Sequence, residues 1–202
     1  MKRNSFALVL GLLFCLLLPN SVHTCVGRLL IVAVSNSTDQ VIMGQMLSVL
    51  INERTGTTVN IVETGNLDTC HKAVLEGKAD IYINYIGVGR ARTGMSDKVH
   101  DPQEVYTLVR QGYMEKFGMV WLKPFGFGGP LTSEENFERG RPTLAAPVAT
   151  KDVLRRFPVL DRLINKLGGR IDNNTMDELK KDTESQDIKE AVKGFLKTNK
   201  LI

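Results

Sequence analysis

Two polar stretches hold the residues of this 202-residue chain whose types and spacing suit them to chemistry. The first is Ser35-Asn36-Ser37-Thr38-Asp39-Gln40, which follows the apolar run of residues 29–34. The second is Asn84-Tyr85-Ile86-Gly87-Val88-Gly89, which follows the strand-like residues 79–82. Both lie where a strand ends, and α/β units collect their binding groups at strand C-termini and helix N-termini. Asn36 and Thr38 sit at the start of a helix, where unpaired backbone N–H groups favour an anion. Groups for covalent or metal chemistry are sparse. His71 and His100 are isolated, and Cys70 beside His71 has neither metal-ligand nor nucleophile spacing. Gly87-Val88-Gly89-Arg90-Ala91-Arg92 has Arg92 where a dinucleotide fingerprint needs its third glycine, and it follows the third strand, not the first. The pattern suits binding better than catalysis. No enzymatic activity, cofactor or metal is expected.

The elements that must position these residues are legible from periodicity. Residues 29–34 form a continuous apolar run, as in a strand covered on both faces. Ser37 or Thr38 can cap the helix that follows, whose apolar face is Ile42, Met43, Met46, Val49 and Leu50. Residues 57–62 read as strand two, 67–76 as a second helix ended by Gly77, and 79–82 as strand three. Residues 87–101 read as a loop. Pro102 opens a helix through Lys116 with Val105, Leu108, Val109, Tyr113 and Phe117 inward, and residues 119–122 form strand four. Alternation of this kind predicts a parallel, right-handed α/β sheet. Residues 123–142 are rich in proline and glycine and read as a connector, not a packed element. One further strand at 143–147 and helices at 151–157, 159–167, 175–181 and 187–198 complete the chain; the last buries Ile188, Ala191, Val192, Phe195 and Leu196.

The N-terminus reads as an export signal, residues 1–24. Lys2 and Arg3 precede an apolar stretch, residues 6–18, too short to span a bilayer. Cys25 would then head the mature chain; an acylated, lipid-anchored Cys25 and a plain periplasmic or secreted chain both stay open. Removing Lys2 and Arg3 takes the formal charge from +4 to about +2, so the pI of about 9.0 overstates the mature protein's basicity. Lysines and arginines are scattered, and nucleic-acid binding has no support. Cys25 before the first strand and Cys70 in the second helix fall at opposite ends of a parallel sheet, beyond disulfide reach. Residues 25–202 are long enough for one sizeable domain.

Several ordered segments carry a resemblance. They are residues 32–40 (VAVSNSTDQ), 75–82 (LEGKADIY), Tyr85-Ile86-Gly87-Val88-Gly89, 118–127 (GMVWLKPFGF), Ala146-Pro147-Val148, Phe157-Pro158-Val159-Leu160 and the end 192–202. Together they resemble the extracytoplasmic substrate-binding proteins of ABC importers for glycine betaine, choline and related quaternary amines, over most of residues 28–127 and 143–202. The resemblance implies an α/β, type II periplasmic-binding-protein-like fold: a single lobe with a mainly parallel central sheet flanked by helices and a C-terminal helical segment. Residues 128–142 stand where the family builds its second lobe, so one lobe of a two-lobe clamp is expected.

The same resemblance implies site residues. Tyr85 matches the family's first-lobe cage tyrosine, Gln40 a contact near the ligand, and Asn36, Thr38 and Gly87 the two turns. A quaternary ammonium cannot hydrogen-bond and is held on aromatic faces, at ~0.5–2 kcal/mol per ring. Ser35 and Ser37 replace a lysine and a phenylalanine common in the family turn, and Val88 a threonine, which predicts weakened capture. The implied partners are a small quaternary-amine solute and an ABC permease in the membrane, with a homodimer as one way to supply the missing wall. The alternative is an exported single-lobe interaction module that binds a partner protein without itself capturing solute.

Overall fold

A computed structural model describes residues 29–95, 99–129 and 143–202. Five strands form one sheet in the order β2-β1-β3-β5-β4. These are β1 (Leu29–Ser35), β2 (Thr58–Gly65), β3 (Ile81–Tyr85), β4 (Met119–Trp121) and β5 (Ala145–Thr150). β1 runs parallel to both β2 and β3, pairing Ala33 with Val62 and with Tyr82. β5 runs antiparallel to β3 and to β4.

The sheet is therefore mainly parallel, but the wholly parallel order expected from alternation does not form. β5 enters between β3 and β4 and reverses direction. The reason is the path of the chain. β4 ends at the same sheet edge at which β5 begins, since Trp121 pairs with Val148 and Met119 with Thr150. A strand that enters at the edge its predecessor left must run backwards.

Alternation along the strands sorts the core into two faces. Leu30, Val32 and Val34 of β1 and Ile81, Ile83 and Tyr85 of β3 point to the face covered by α1 (Thr38–Thr55). Ala33 and Tyr82 point to the other, under α2 (Leu67–Leu75) and α4 (Pro102–Phe117), with Val109, Tyr113 and Trp121. α1 is buried nearly all round, because it lies between the sheet and the C-terminal helices α6 (Val159–Ile164), α7 (Asn173–Ser185) and α8 (Ile188–Thr198). Ile42, Met43, Met46, Leu47 and Leu50 are fully buried there, each contributing ~1.5–3 kcal/mol by leaving water. α5 (Lys151–Arg156) joins β5 to α6.

Two sequence expectations need correction. The loop expected over 87–101 begins as a helix, α3 (Ile86–Thr93). Its glycines lower helix propensity, yet packing demands one of them: a Cβ on Gly89 would lie 2.5 Å from Trp121 Cζ2 and 2.8 Å from Val109 Cγ1. The connector expected from 123 onward is packed at its start. Phe125 and Phe127 are buried in the α1-side core, their rings stacked with centroids 6.1 Å apart. Residues 1–28, with the expected signal and Cys25, and 130–142, with the rest of the connector, lie outside the described residues. Among the described residues no helix is long and apolar enough to cross a membrane.

Candidate functional site

The C-terminal edge of the parallel strands gathers the expected site residues. β1 and β3 are parallel neighbours, pairing Val32 with Ile81 and Ala33 with Tyr82, so Ser35 and Tyr85 end their strands at the same sheet edge. α1 and α3 both start at this edge, with Ser37 and Tyr85 as N-caps in extended backbone. Asn36, Thr38 and Gln40 thus share the edge with Tyr85 and Gly87. The register slips between Val34 and Ser35, a bulge of the kind that re-aims a strand end. The Asn36 N–H donates to Gly65 O at 3.1 Å, tying the turn to the end of β2. Ser37 makes no side-chain cap; its hydroxyl lies 3.4 Å from that of Ser35. Among the described residues the first-turn N–H groups of α1 consequently keep no capping side chain.

These residues divide by exposure. Asn36 and Thr38 face solvent and Gly87 is half-buried. Gln40 is 1% exposed and Tyr85 3%. Neither polar atom of the Gln40 carboxamide has a hydrogen-bond partner among the described residues, an arrangement that costs about 1–3 kcal/mol. Beside it, Asp39 is held by Lys180 of α7 at 2.7 Å, and a carboxylate in a first helical turn also suits the helix dipole.

The ring of Tyr85 is covered by the chain itself. Residues 125–129 form a strap along this edge. It is tied to the start of β5 by Phe125 N–H to Ala145 O, Ala145 N–H to Phe127 O and Gly129 N–H to Thr143 O, at 2.9, 2.9 and 3.1 Å. On its other side Ile171 N–H donates to Phe125 O at 3.1 Å, and Gly128 N–H donates to Asn173 Oδ1 at 2.8 Å. Gly129 lies so close that a Cβ there would meet Tyr85 Cε1 at 2.5 Å and Cδ1 at 2.6 Å.

Behind Tyr85, on the opposite face, lies a buried polar network that periodicity alone does not reveal. Asn84 Nδ2 donates to the hydroxyls of Tyr82 at 3.2 Å and Tyr113 at 3.1 Å, while its Oδ1 accepts the Tyr85 N–H at 2.8 Å. Tyr82 OH lies 2.9 Å from His71 Nδ1. Arg92 donates to Tyr113 OH at 3.2 Å and pairs with Asp68 of α2. Burial, reinforced by the Arg92 charge, lowers the His71 pKa to about 4, so the ring is neutral at pH 7 and its Nδ1 shares a hydrogen bond with the Tyr82 hydroxyl. Burial raises the Tyr82 hydroxyl well above its ordinary value. His71 is thus a buried structural partner of Tyr82, itself in the core, and Tyr113 is a core residue, as its inward place on the helix predicts. The sequence signal for the network was the i, i+2 spacing of Tyr82 and Asn84, which puts both on one face of β3. Cys70 is buried with its Sγ 3.0 Å from Thr64 Oγ1.

A groove of about 620 Å³ opens at the opposite sheet edge, lined in part by Leu75, Asp80, Phe117, Lys151 and Arg156. Its charges answer one another, Arg156 with Asp80 at 2.6 Å. It lies at the N-terminal ends of β3 and β4 and at the start of α5, away from Tyr85 and the N-termini of α1 and α3. Among the described residues no cluster of histidine, cysteine and carboxylate side chains is arranged to hold a metal.

A mixed five-stranded α/β lobe flanked by helices is the architecture of a periplasmic-binding-protein lobe. Residues 28–132 match the family described as the substrate-binding domain of the ABC-type glycine betaine transport system, and the chain belongs to that family. The carnitine transport binding protein OpuCC of Listeria monocytogenes is 25% identical over 143 residues, which are 70% of this chain and 44% of that protein. The chain thus spans less than half the length of that relative. Among solved structures, a glycine betaine/carnitine/choline ABC transporter protein superposes with a TM-score of 0.74 at 18% identity, over 86% of this chain and 98% of that one. YehZ of Escherichia coli, without ligand, gives 0.72 at 16%, over 86% and 99%. Lactococcal OpuAC, closed on glycine betaine, gives 0.50 at 9%, over 86% and 96%. At these identities the structures speak to fold.

Proposed function

We propose that this chain is the exported solute-binding component of an ABC-type importer for glycine betaine-, choline- or carnitine-like osmoprotectants. It captures solute and hands it to a membrane permease without covalent chemistry. The observation that carries this reading is the family match over residues 28–132, which takes in both turns at the site edge. The chemistry is consistent with it. The uncapped N-terminus of α1 at Asn36 and Thr38 suits a carboxylate. Tyr85 is the ring for the trimethylammonium group, and Gln40 brings a carboxamide with unmet hydrogen-bonding capacity. The export signal over residues 1–24, with or without acylation of Cys25, and the connector at 128–142 in place of a second lobe belong to the same proposal.

Capture by the monomer is weak in this reading. One lobe leaves a ligand open to water on one side and forgoes the stabilisation of closure. Ser35, Ser37 and Val88 offer less to a betaine than the groups they replace. Titration calorimetry of the purified monomer with glycine betaine, choline and carnitine is expected to give a Kd between ~100 μM and ~10 mM, about −3 to −5.5 kcal/mol. Silence with all three at ~10 mM would remove unaided capture by the wild-type monomer from the proposal, and low-micromolar binding would remove its weakness.

A further inference from the structure

We infer that the strap, residues 125–129, is an autoinhibitory contact: it seats on the ring of Tyr85 and keeps the amine site shut until it is displaced. The inference rests on the solute-binding reading and adds a regulation to it. Three observations carry it.

The first is contact. Gly129 approaches the Tyr85 ring so closely that one added carbon would lie 2.5–2.8 Å from three ring atoms. Glycine is the residue that lets backbone lie flat on that ring, occupying a face that a trimethylammonium group would need. Tyr85 is buried to 3% exposure within the same cluster as Phe125, Phe127 and Leu122.

The second is the way the strap is held. Its inner border is fixed by backbone hydrogen bonds to residues 143–145. Its outer border is fixed at Gly128 by one exposed side chain, Asn173, the first residue of α7. Beyond Phe127 the strap puts no side chain into the core: Gly128 and Gly129 are held by the Gly129 N–H bond to Thr143 O and by the exposed Asn173 amide, and this is the end built to lift. Phe125 and Phe127 can stay in place meanwhile.

The third is the residue left unmet. Gln40 is on the helix that covers the Tyr85 face of the sheet, at the same edge. It is 1% exposed with neither carboxamide atom hydrogen-bonded among the described residues. The closed arrangement leaves that amide unanswered, and a polar ligand group admitted by lifting the strap would satisfy it. When the competent state is a small fraction of molecules, apparent affinity falls by that fraction. Releasing the strap should therefore raise affinity without any new contact.

Tyrosine nitration followed by mass spectrometry tests the contact without any ligand. In the wild-type chain Tyr85 should be nitrated as slowly as the fully buried Tyr82 and Tyr113, and more slowly than half-buried Tyr106. Gly129→Ala, and the milder Asn173→Ala should the first not fold, should raise Tyr85 labelling severalfold and leave Tyr82 and Tyr113 unchanged. Tyr85 labelled as fast as Tyr106 in the wild type, or still protected in both folded variants, overturns the inference. Calorimetry with glycine betaine then reads the regulation. The opened variants should bind about tenfold or more tightly than the wild type. Equal affinity in wild type and opened variants overturns autoinhibition but leaves solute capture standing. Opened labelling with no binding of glycine betaine, choline or carnitine overturns both autoinhibition and the solute reading, while a protected Tyr85 in every variant strikes the strap alone.

Discussion

His71 shows how burial assigns a role to one side chain. Its ring is packed edge-on against Tyr82, Tyr113 and Phe117, with centroids 5.7, 5.7 and 4.9 Å away. Asn84 donates to the Tyr82 oxygen, and His71 Nδ1 lies 2.9 Å from the same hydroxyl. Burial and the Arg92 charge oppose protonation, outweighing Asp68, and set the pKa near 4 against an ordinary 6.5. The folded state therefore binds fewer protons than the unfolded one between those values. Stability from this group is intact above pH ~6.5 and falls as the pH drops toward ~4, by about 2–3 kcal/mol in all. Urea unfolding of wild type and His71→Gln at about pH 7.5 and 4.5 checks this. The variant, whose amide cannot titrate, should lose markedly less stability between the two pH values. Equal losses would show that His71 is not the group that titrates.

At the scale of elements, α3 is where intrinsic preference and packing disagree. Replacing a glycine within a helix by alanine normally gains up to ~1 kcal/mol. At Gly89 the added methyl would meet the rigid indole of Trp121, itself fully buried, and overpacking of that kind costs about 1–3 kcal/mol. Packing outweighs propensity here, so Gly89→Ala is expected to lower stability by about 1–2 kcal/mol; an unchanged or higher melting temperature would show that α3 can move away from the sheet. The displacement matters to the site, because α3 begins at Tyr85 and its start is pinned from behind by Asn84. The strap has the opposite character. It is irregular and glycine-rich, yet its phenylalanines are core residues. Its composition reads as linker because composition records turn-forming residues, whereas burial is decided by what two aromatic rings can reach.

The described residues form one sheet with a core on each face, and each face reports on the other. Trp121 is the chain's one tryptophan, fully buried on the α2–α4 face. α1 and the C-terminal helices fill the other face. Both faces are carried by the same strands, so neither can be lost while the other keeps its support. Unfolding followed by Trp121 fluorescence and by far-UV circular dichroism should give coincident transitions in urea. A separate, earlier loss of helix would mean that the α6–α8 layer detaches as its own unit.

Periodicity and turn chemistry by themselves determined most of the elements: β1, α1 with its inward Ile42, Met43, Met46, Val49 and Leu50, α4 opened by Pro102, and α8. They determined also that the polar turns at 35–40 and 84–89 fall at strand ends. Those are local properties, set by the 2.0 and 3.6 residue repeats of strand and helix. The antiparallel insertion of β5, the helix at 86–93, the network through Asn84 and the burial of Tyr85 under Gly129 were decided only by tertiary structure. Each depends on residues distant in sequence meeting in space: 85 with 129, 89 with 121, 84 with 113. A single sequence holds no record of such pairings, because the packing energy that selects them exists only once the sheet has assembled.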